Sequence, residues 1–351
     1  KGVMLSHANL IANCDAVAQV YSFTSADVML GVLPLFHSFG YVYNLWFPLV
    51  SGARAAYHPN PTDAKTIGEL AAAQKATFLL ATPTFCLGFL RKCSKEQFAT
   101  LRYALVGAEK LRPAVAEAFT NKFGVPIYEG YGCTEMAPVV AVNGPDFDDG
   151  AQKQLGNRPG SVGRPIPGVN VRVVDPETFE PRPLGEEGLL LVDGACRMLG
   201  YLGQPEKTAK AMQDGYYVTG DIARMDSEGF LTITDRLARF SKIGGEMVPH
   251  LKVEEALRPV VGETVGVLVI GVPDESRGEK LAVLHTKTEI TATQMVAALN
   301  AAGLPALWVP KRDQFFGVET IPTLGTGKTD LRKAREMALA MMAGEAEGSL
   351  R

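Results

Sequence analysis

The chain has 351 residues, 46% hydrophobic and 21% charged, which is ordinary globular material with enough apolar content for two domains. A formal charge of -3 and a pI near 6.0 argue against nucleic acid as the main partner, because binding a phosphate backbone calls for a basic face. Five scattered cysteines, Cys14, Cys86, Cys93, Cys133 and Cys196, form no Cys-x-x-Cys pair, so neither a zinc site nor a disulfide framework is indicated and a reducing, cytoplasmic setting fits.

The chain opens on Lys1-Gly2-Val3 and runs at once into a pattern with Ser6 as cap and Asn9, Ile11, Ala12, Val17, Ala18 and Val20 at helical spacing. Val28 to Leu35 reads as a strand. Pro34 to Gly40 turns into the most apolar run, Phe39 to Val50, which Asn44 interrupts and which is shorter than the roughly 20 residues of a membrane span. It predicts a buried helix or the wall of an apolar pocket. Strands at 53–57, 77–81, 103–106 and 125–128 then alternate with helices at 63–75, 85–92 and 113–123, the pattern of a largely parallel sheet covered by helices, with ligands at the carboxyl ends of its strands.

From Gly144 to Thr234 the texture changes to short strands punctuated by Gly and Pro, which predicts a β-rich, barrel-like subdomain. Beyond Asp235 it shifts again, to a compact α+β domain of about a hundred residues. The expected organisation is therefore an α/β part over 1–143, a β-rich part over 144–234, a hinge at 235–240 and an α+β domain over 241–351.

The stretch Ile127-Tyr128-Glu129-Gly130-Tyr131-Gly132-Cys133-Thr134-Glu135 concentrates the chemistry. Gly130 and Gly132 allow close backbone approach to a ligand, Tyr131 offers a flat face for a purine, Thr134 a hydroxyl for phosphate oxygen and Glu135 a hard oxygen for Mg2+. The alternative is a common Gly-aromatic-Gly turn whose Glu caps the next helix. Asp221, in Tyr217-Val218-Thr219-Gly220-Asp221, either accepts hydrogen bonds from both hydroxyls of a ribose or stabilises a β-turn. His37 follows a Pro-Leu-Phe turn and is either structural or reactive. Phe39, Gly40, Tyr43 and Trp46 line either a tunnel or plain core. Lys328 ends a thin loop, Pro322-Thr323-Leu324-Gly325-Thr326-Gly327-Lys328, and is either solvated or able to neutralise charge on a phosphate. Pro273, Asp274, Gly278 and Glu279 read as structural turn chemistry.

The nonamer, with the motifs that follow it in order, resembles the signature of the adenylate-forming superfamily, which includes acyl-CoA and acyl-ACP synthetases, luciferases and peptide-synthetase adenylation domains. The resemblance implies ATP and Mg2+ as cofactors, a ribose held by Asp221 and Arg236, an adenine edge at Gly107-Ala108-Glu109, Lys328 as the adenylation lysine and His37 where the acyl carboxylate meets the nucleotide. It implies a small domain that rotates between half-reactions and a thiol-facing surface that includes Lys242 and Gly244. It further implies that Lys1-Gly2-Val3 closes a phosphate loop belonging to a longer protein, so that this piece alone is a poor catalyst.

The hinge departs from the superfamily pattern, with Ala238 where Asp or Lys is usual. Arg-Leu-Ala-Arg-Phe (236–240), Lys-Ile-Gly-Gly-Glu-Met-Val (242–248) and Leu-Pro-Leu-Phe-His-Ser-Phe-Gly (33–40) are similar instead to the synthetase part of bacterial acylglycerophosphoethanolamine acyltransferase/acyl-ACP synthetase fusions. That branch implies a medium- or long-chain fatty acid, transfer to the phosphopantetheine of acyl carrier protein or to coenzyme A, and a membrane acyltransferase upstream that would hold the protein at the inner face of the membrane. Arg236, Arg239 and Lys242 would then meet an acidic carrier or coenzyme A phosphates, or else are solvated charges. The competing expectations are an aryl or amino-acid adenylating enzyme and a non-catalytic module that binds carrier protein.

Overall fold

A computed structural model of the chain describes residues 2–262, 264–323 and 329–348. Its contacts divide it into two compact units, Lys1–Thr234 and Asp235–Arg351. Among the described residues no helix is long and apolar enough to cross a membrane.

The first unit is built on a seven-stranded sheet. Its strands are Val28–Gly31 (β1), Arg54–Tyr57 (β2), Phe78–Ala81 (β3), Tyr103–Val106 (β4), Ile127–Gly132 (β5), Val139–Val142 (β6) and Arg164–Pro165 (β7), in the spatial order β7-β6-β5-β4-β3-β1-β2. The strands β1 to β5 pair in parallel; β6 and β7 add antiparallel at one edge. Successive side chains of a strand leave on opposite faces, and each face has its own core. Phe78, Leu80, Met29 and Leu105 join the cluster of Tyr21, Phe23, Tyr43 and Phe47, whereas Leu79, Ala81, Leu30 and Ala104 join Ile67, Phe89, Phe98 and Phe119.

The helix His7–Tyr21 (α1) begins as its sequence dictates. The Ser6 hydroxyl accepts from the Asn9 amide at 3.1 Å, and the Asn9 side chain accepts from the Ser6 amide at 2.8 Å. The apolar run is helical but not uniformly so. Ser38–Gly40 is α-helical, Tyr41–Trp46 winds as a π-helix, and α-geometry returns over Phe47–Ser51. A single π-turn inside a helix is rare and carries no signature in the hydrophobic pattern. Buried Asn44, the interruption in the run, donates to the Leu33 carbonyl at 2.9 Å.

The β-rich part is a five-stranded antiparallel sheet that includes Val169–Val174 (β8), Gly188–Gly194 (β9), Tyr216–Met225 (β10) and Leu231–Arg236 (β11). Among the described residues its pairing branches at β10, which meets β9, β11 and the short strand Met212–Gln213. One short helix, Pro205–Lys210, escapes the sequence reading, since six residues are too few to show a period.

The second unit has its own five-stranded sheet, in which Phe240–Ile243, Glu246–Pro249, Val267–Asp274 and Gly278–His285 pair antiparallel and Phe315–Gly317 adds in parallel. The alternation again feeds two cores. Val267, Val269 and Val283 pack with Val253, Leu257 and Met295, and Leu268, Ile270 and Leu284 pack with Ala334 and Ala338. Asp274 accepts from the Ser276 and Arg277 amides at 3.0 Å, which is turn chemistry.

Candidate functional site

The carboxyl ends of β4 and β5 carry Gly107-Ala108-Glu109 and the glycine-rich signature. The expected turn after Tyr128 is displaced: β5 continues through Gly130, Tyr131 and Gly132, because these residues pair antiparallel with Val142, Ala141 and Val139 of β6. The hairpin is tight. A Cβ at Gly132 would lie 2.1 Å from the Pro138 carbonyl oxygen, so no side chain fits there without backbone movement.

Ala108 adopts a positive φ of 70°, unusual for a residue with a side chain. Glu109 accepts from the Thr84 hydroxyl at 2.6 Å and its amide at 3.3 Å, so its carboxylate joins the start of the helix Pro83–Lys92. The helix Pro113–Phe123 begins after Arg112, a few residues beyond Glu109. Glu129 accepts from the Leu111 amide at 3.1 Å, and burial raises its carboxyl above the ordinary range.

The signature meets the apolar helix through hydroxyls. His37 Nδ1 accepts from the Phe39 amide at 3.2 Å and so begins that helix, a structural role that leaves the imidazole beside the next bridge. Ser38 Oγ lies 2.9 Å from Thr134 Oγ1, tying the His37 turn to the signature. Nothing in the letters singles out Ser38, because a serine after a turn is too common to attract notice.

Glu135 is 5% exposed. One of its oxygens accepts from the Tyr201 hydroxyl at 2.8 Å, and its carbonyl accepts from the Met198 amide at 2.8 Å. The turn that holds it is secured from beneath by Asn13, which is fully buried. The Asn13 amide donates to the Met136 and Val139 carbonyls at 3.1 and 2.8 Å, and its oxygen accepts from the Val139 amide at 3.1 Å and the Tyr43 hydroxyl at 2.6 Å. Asn13 is the residue sequence reasoning missed; Tyr43, read there only as tunnel wall or core, adds its hydroxyl to the same network. The spacing of Asn13 from the signature, 122 positions to Glu135, hides a contact only the fold creates.

Asp221 does not sit in a turn ahead of a strand pair, as its glycine neighbour suggests, but inside the long strand β10. Gly220 has φ 74°, and the local irregularity is fixed by Thr219, whose hydroxyl donates to the Leu190 carbonyl at 2.7 Å and accepts from the Asp221 amide at 3.0 Å. The Asp221 side chain is 4% exposed and accepts a hydrogen bond from the Tyr131 hydroxyl. Tyr131 therefore contributes a hydroxyl, where the sequence drew attention to its ring. Burial, then the Asp221 charge, pushes that phenol well above its ordinary range and keeps it a donor.

The two carboxylates share surroundings. Burial raises the Cys133 thiol far above its usual value, and the charges of Glu135 and then Asp221 add to the rise. Among the described residues no group of three His, Cys, Asp or Glu side chains assembles, so Glu135 is not part of a cluster of metal ligands.

Arg236, Arg239, Lys242 and Gly244 belong to the second unit. Arg239 is neither a thiol-facing cation nor a solvated charge. Its guanidinium pairs with buried Glu254, which also accepts from the Val269 amide at 2.7 Å, so the charge is spent within this unit. The Lys242 amide donates to Glu279 at 2.8 Å, and Gly244 and Gly245, at φ 59° and 92°, make the turn that follows. Lys328 lies outside the described residues.

Residues 1–202 match the family described as AMP-binding enzyme. The chain is 32% identical over 344 residues to the long-chain-fatty-acid–CoA ligase of Bacillus subtilis (strain 168), and 31% identical over 345 residues to that of Salmonella typhimurium. Each alignment covers 96% of this chain and 59% of the relative, so the chain spans about three fifths of the length of the curated relatives it matches. In three dimensions it is similar to ATP-bound MatB from Rhodopseudomonas palustris, with TM-score 0.81 and 29% identity over 96% of this chain and 65% of the other. A parallel sheet whose glycine-rich strand leads to buried Glu135, with Tyr131 of that strand donating to buried Asp221 of β10, thus coincides with a match over more than half of the sequence: the chain belongs to the AMP-binding enzyme family.

Proposed function

We propose that the protein activates a medium- or long-chain fatty acid with ATP and passes the acyl group to a thiol. The observation that supports this most is the meeting of Tyr131 and Asp221, 90 positions apart, next to the thiol that also feels Glu135. A nucleoside fixed at one point and a phosphate-directed acid nearby are what such chemistry needs. The names of the similar ligases favour a fatty acid and coenzyme A.

A carboxylate resists a thiol because its leaving group is poor. Attack by one carboxylate oxygen on the α-phosphorus expels pyrophosphate and leaves an acyl-AMP; attack by a thiolate on the acyl carbon then expels AMP. In this scheme Asp221 and Arg236 hold the ribose, Gly107, Ala108 and Glu109 border the adenine, Gly130, Tyr131, Gly132 and Thr134 orient nucleoside and phosphate, and His37 lies by the incoming carboxylate. Lys328 neutralises charge at the α-phosphate. Lys242 and Gly244 serve the thiol step. Glu135 would hold Mg2+: it is a single hard carboxylate beside a hydroxyl, and that ion needs only one or two protein carboxylates when a polyphosphate supplies the rest. When bound, the metal neutralises phosphate charge.

The finer assignment follows the resemblance of residues 33–40 and 236–248 to acyl-ACP synthetase fusions, which makes acyl carrier protein the rival acceptor to coenzyme A. An amino-acid substrate is disfavoured because the run from Phe39 to Val50 has no carboxylate to anchor an amine. To test the reading, the protein is incubated with ATP, Mg2+ and mixed fatty acids, with carrier protein and coenzyme A in competition, and thioesters are identified by mass. Fatty acyl thioester with AMP release is expected; AMP release with aryl or amino acids alone overturns it.

A further inference from the structure

We propose that the Tyr131 hydroxyl is a positioning group that fixes the plane of the Asp221 carboxylate, and thereby makes the site select a nucleotide with an intact ribose diol. The inference rests on the nucleotide reading above and deepens it. A carboxylate on a short side chain rotates about its last bond, and a rotating acceptor gains little from a diol whose two hydroxyls must be met at once. Three contacts remove that freedom. The Thr219 hydroxyl accepts from the Asp221 amide at 3.0 Å and donates to the Leu190 carbonyl at 2.7 Å, which fixes the backbone of the acid. Tyr131 then donates to one carboxylate oxygen, which fixes the head.

The donor is itself rigid. Tyr131 lies in β5, paired through Ala141 to β6, so its phenol is delivered from a paired strand rather than from a loop. A carboxylate offers about four lone-pair sites, so a phenol and two sugar hydroxyls are within the number of donors one such head accepts. The chemistry also assigns a direction: loss of the hydroxyl weakens recognition of the sugar, not of the base or the phosphates.

The test is equilibrium binding of ATP, 2′-deoxy-ATP and 3′-deoxy-ATP, without fatty acid, to the protein and to its Tyr131→Phe and Asp221→Asn variants. The unaltered protein is expected to prefer ATP over both deoxy nucleotides. Tyr131→Phe should narrow that preference by about tenfold, the worth of one hydrogen bond to a charged group, while binding of 2′-deoxy-ATP changes little. Because the preference compares nucleotides on the same folded molecules, a loss of stability in the variant does not move it. A preference that survives Tyr131→Phe but is lost in Asp221→Asn overturns the positioning role and leaves the ribose reading intact. No preference in the unaltered protein overturns the ribose reading of Asp221, and the proposal with it.

Discussion

Asn13→Ala is expected to be among the costliest single changes in the first unit although Asn13 touches no ligand. Its side chain makes four hydrogen bonds in a fully buried position, to Met136, to both backbone groups of Val139 and to Tyr43. Alanine leaves the Val139 amide and two carbonyls buried without these partners, and each such group costs about 1–3 kcal/mol. The Tyr43 hydroxyl keeps a second acceptor, the Asn13 carbonyl at 3.3 Å, so it adds little. With water entering the small void to repay part of the loss, a net destabilisation of about 3–4 kcal/mol follows. Tyr43→Phe, which breaks only one of the four bonds, should cost about 1 kcal/mol. The chain offers a clean assay. Its two tryptophans, Trp46 and Trp308, fall one in each unit, so a Trp308→Phe background reports urea unfolding of the first unit through Trp46 alone. The same variant should bind Mg2+-ATP more weakly, since the turn it releases carries Glu135. An Asn13→Ala protein destabilised by less than about 1 kcal/mol would refute the reasoning, as would a Tyr43→Phe effect that simply adds to it when the two changes are combined.

Gly132→Ala should cost about 1–3 kcal/mol and abolish nucleotide binding, because its Cβ would meet the Pro138 carbonyl at 2.1 Å; normal ATP binding by a stable variant would contradict the tight hairpin. In the second unit, burial and the neighbouring Arg239 push the His250 imidazole down to about 3, below its unfolded value of about 6.5. The unfolded chain therefore binds the extra proton first, and stability present above about pH 6.5 is lost as pH falls toward 3; His250→Gln should flatten that slope in unfolding followed through Trp308. Lys328→Ala should abolish fatty-acid-dependent pyrophosphate exchange yet leave thioester formation from supplied acyl-adenylate, and equal loss in both assays would remove Lys328 from the adenylation step. Substitution of Lys242 or Gly244 should slow only thioester formation, with coenzyme A and carrier protein as acceptors; unchanged rates with both would count against the thiol-facing assignment.

The letters alone determine the alternation of strands and helices, because buried parallel strands are short continuous apolar runs and the helices between them carry their own stops and starts. Tyr103–Val106 and Pro113–Phe123 have in the structure the limits their sequence predicts. Glu135 and Asp221 stand out in sequence because each sits among glycines, and both prove buried. Local pattern misjudges what depends on a distant neighbour. Gly130 to Gly132 look like a turn yet continue a strand, since β6 supplies the hydrogen bonds; Asp221 looks like a turn residue yet lies in β10. Arg239 looks like a surface cation and is consumed by Glu254. Asn13, Ser38, Tyr43 and the Tyr131 hydroxyl acquire their partners only on folding. Side-chain identity and spacing encode period and local capping, whereas a hydrogen bond between residues about a hundred positions apart exists only once the sheet has set its strand order, and that is why the tertiary structure alone decided how this site is held.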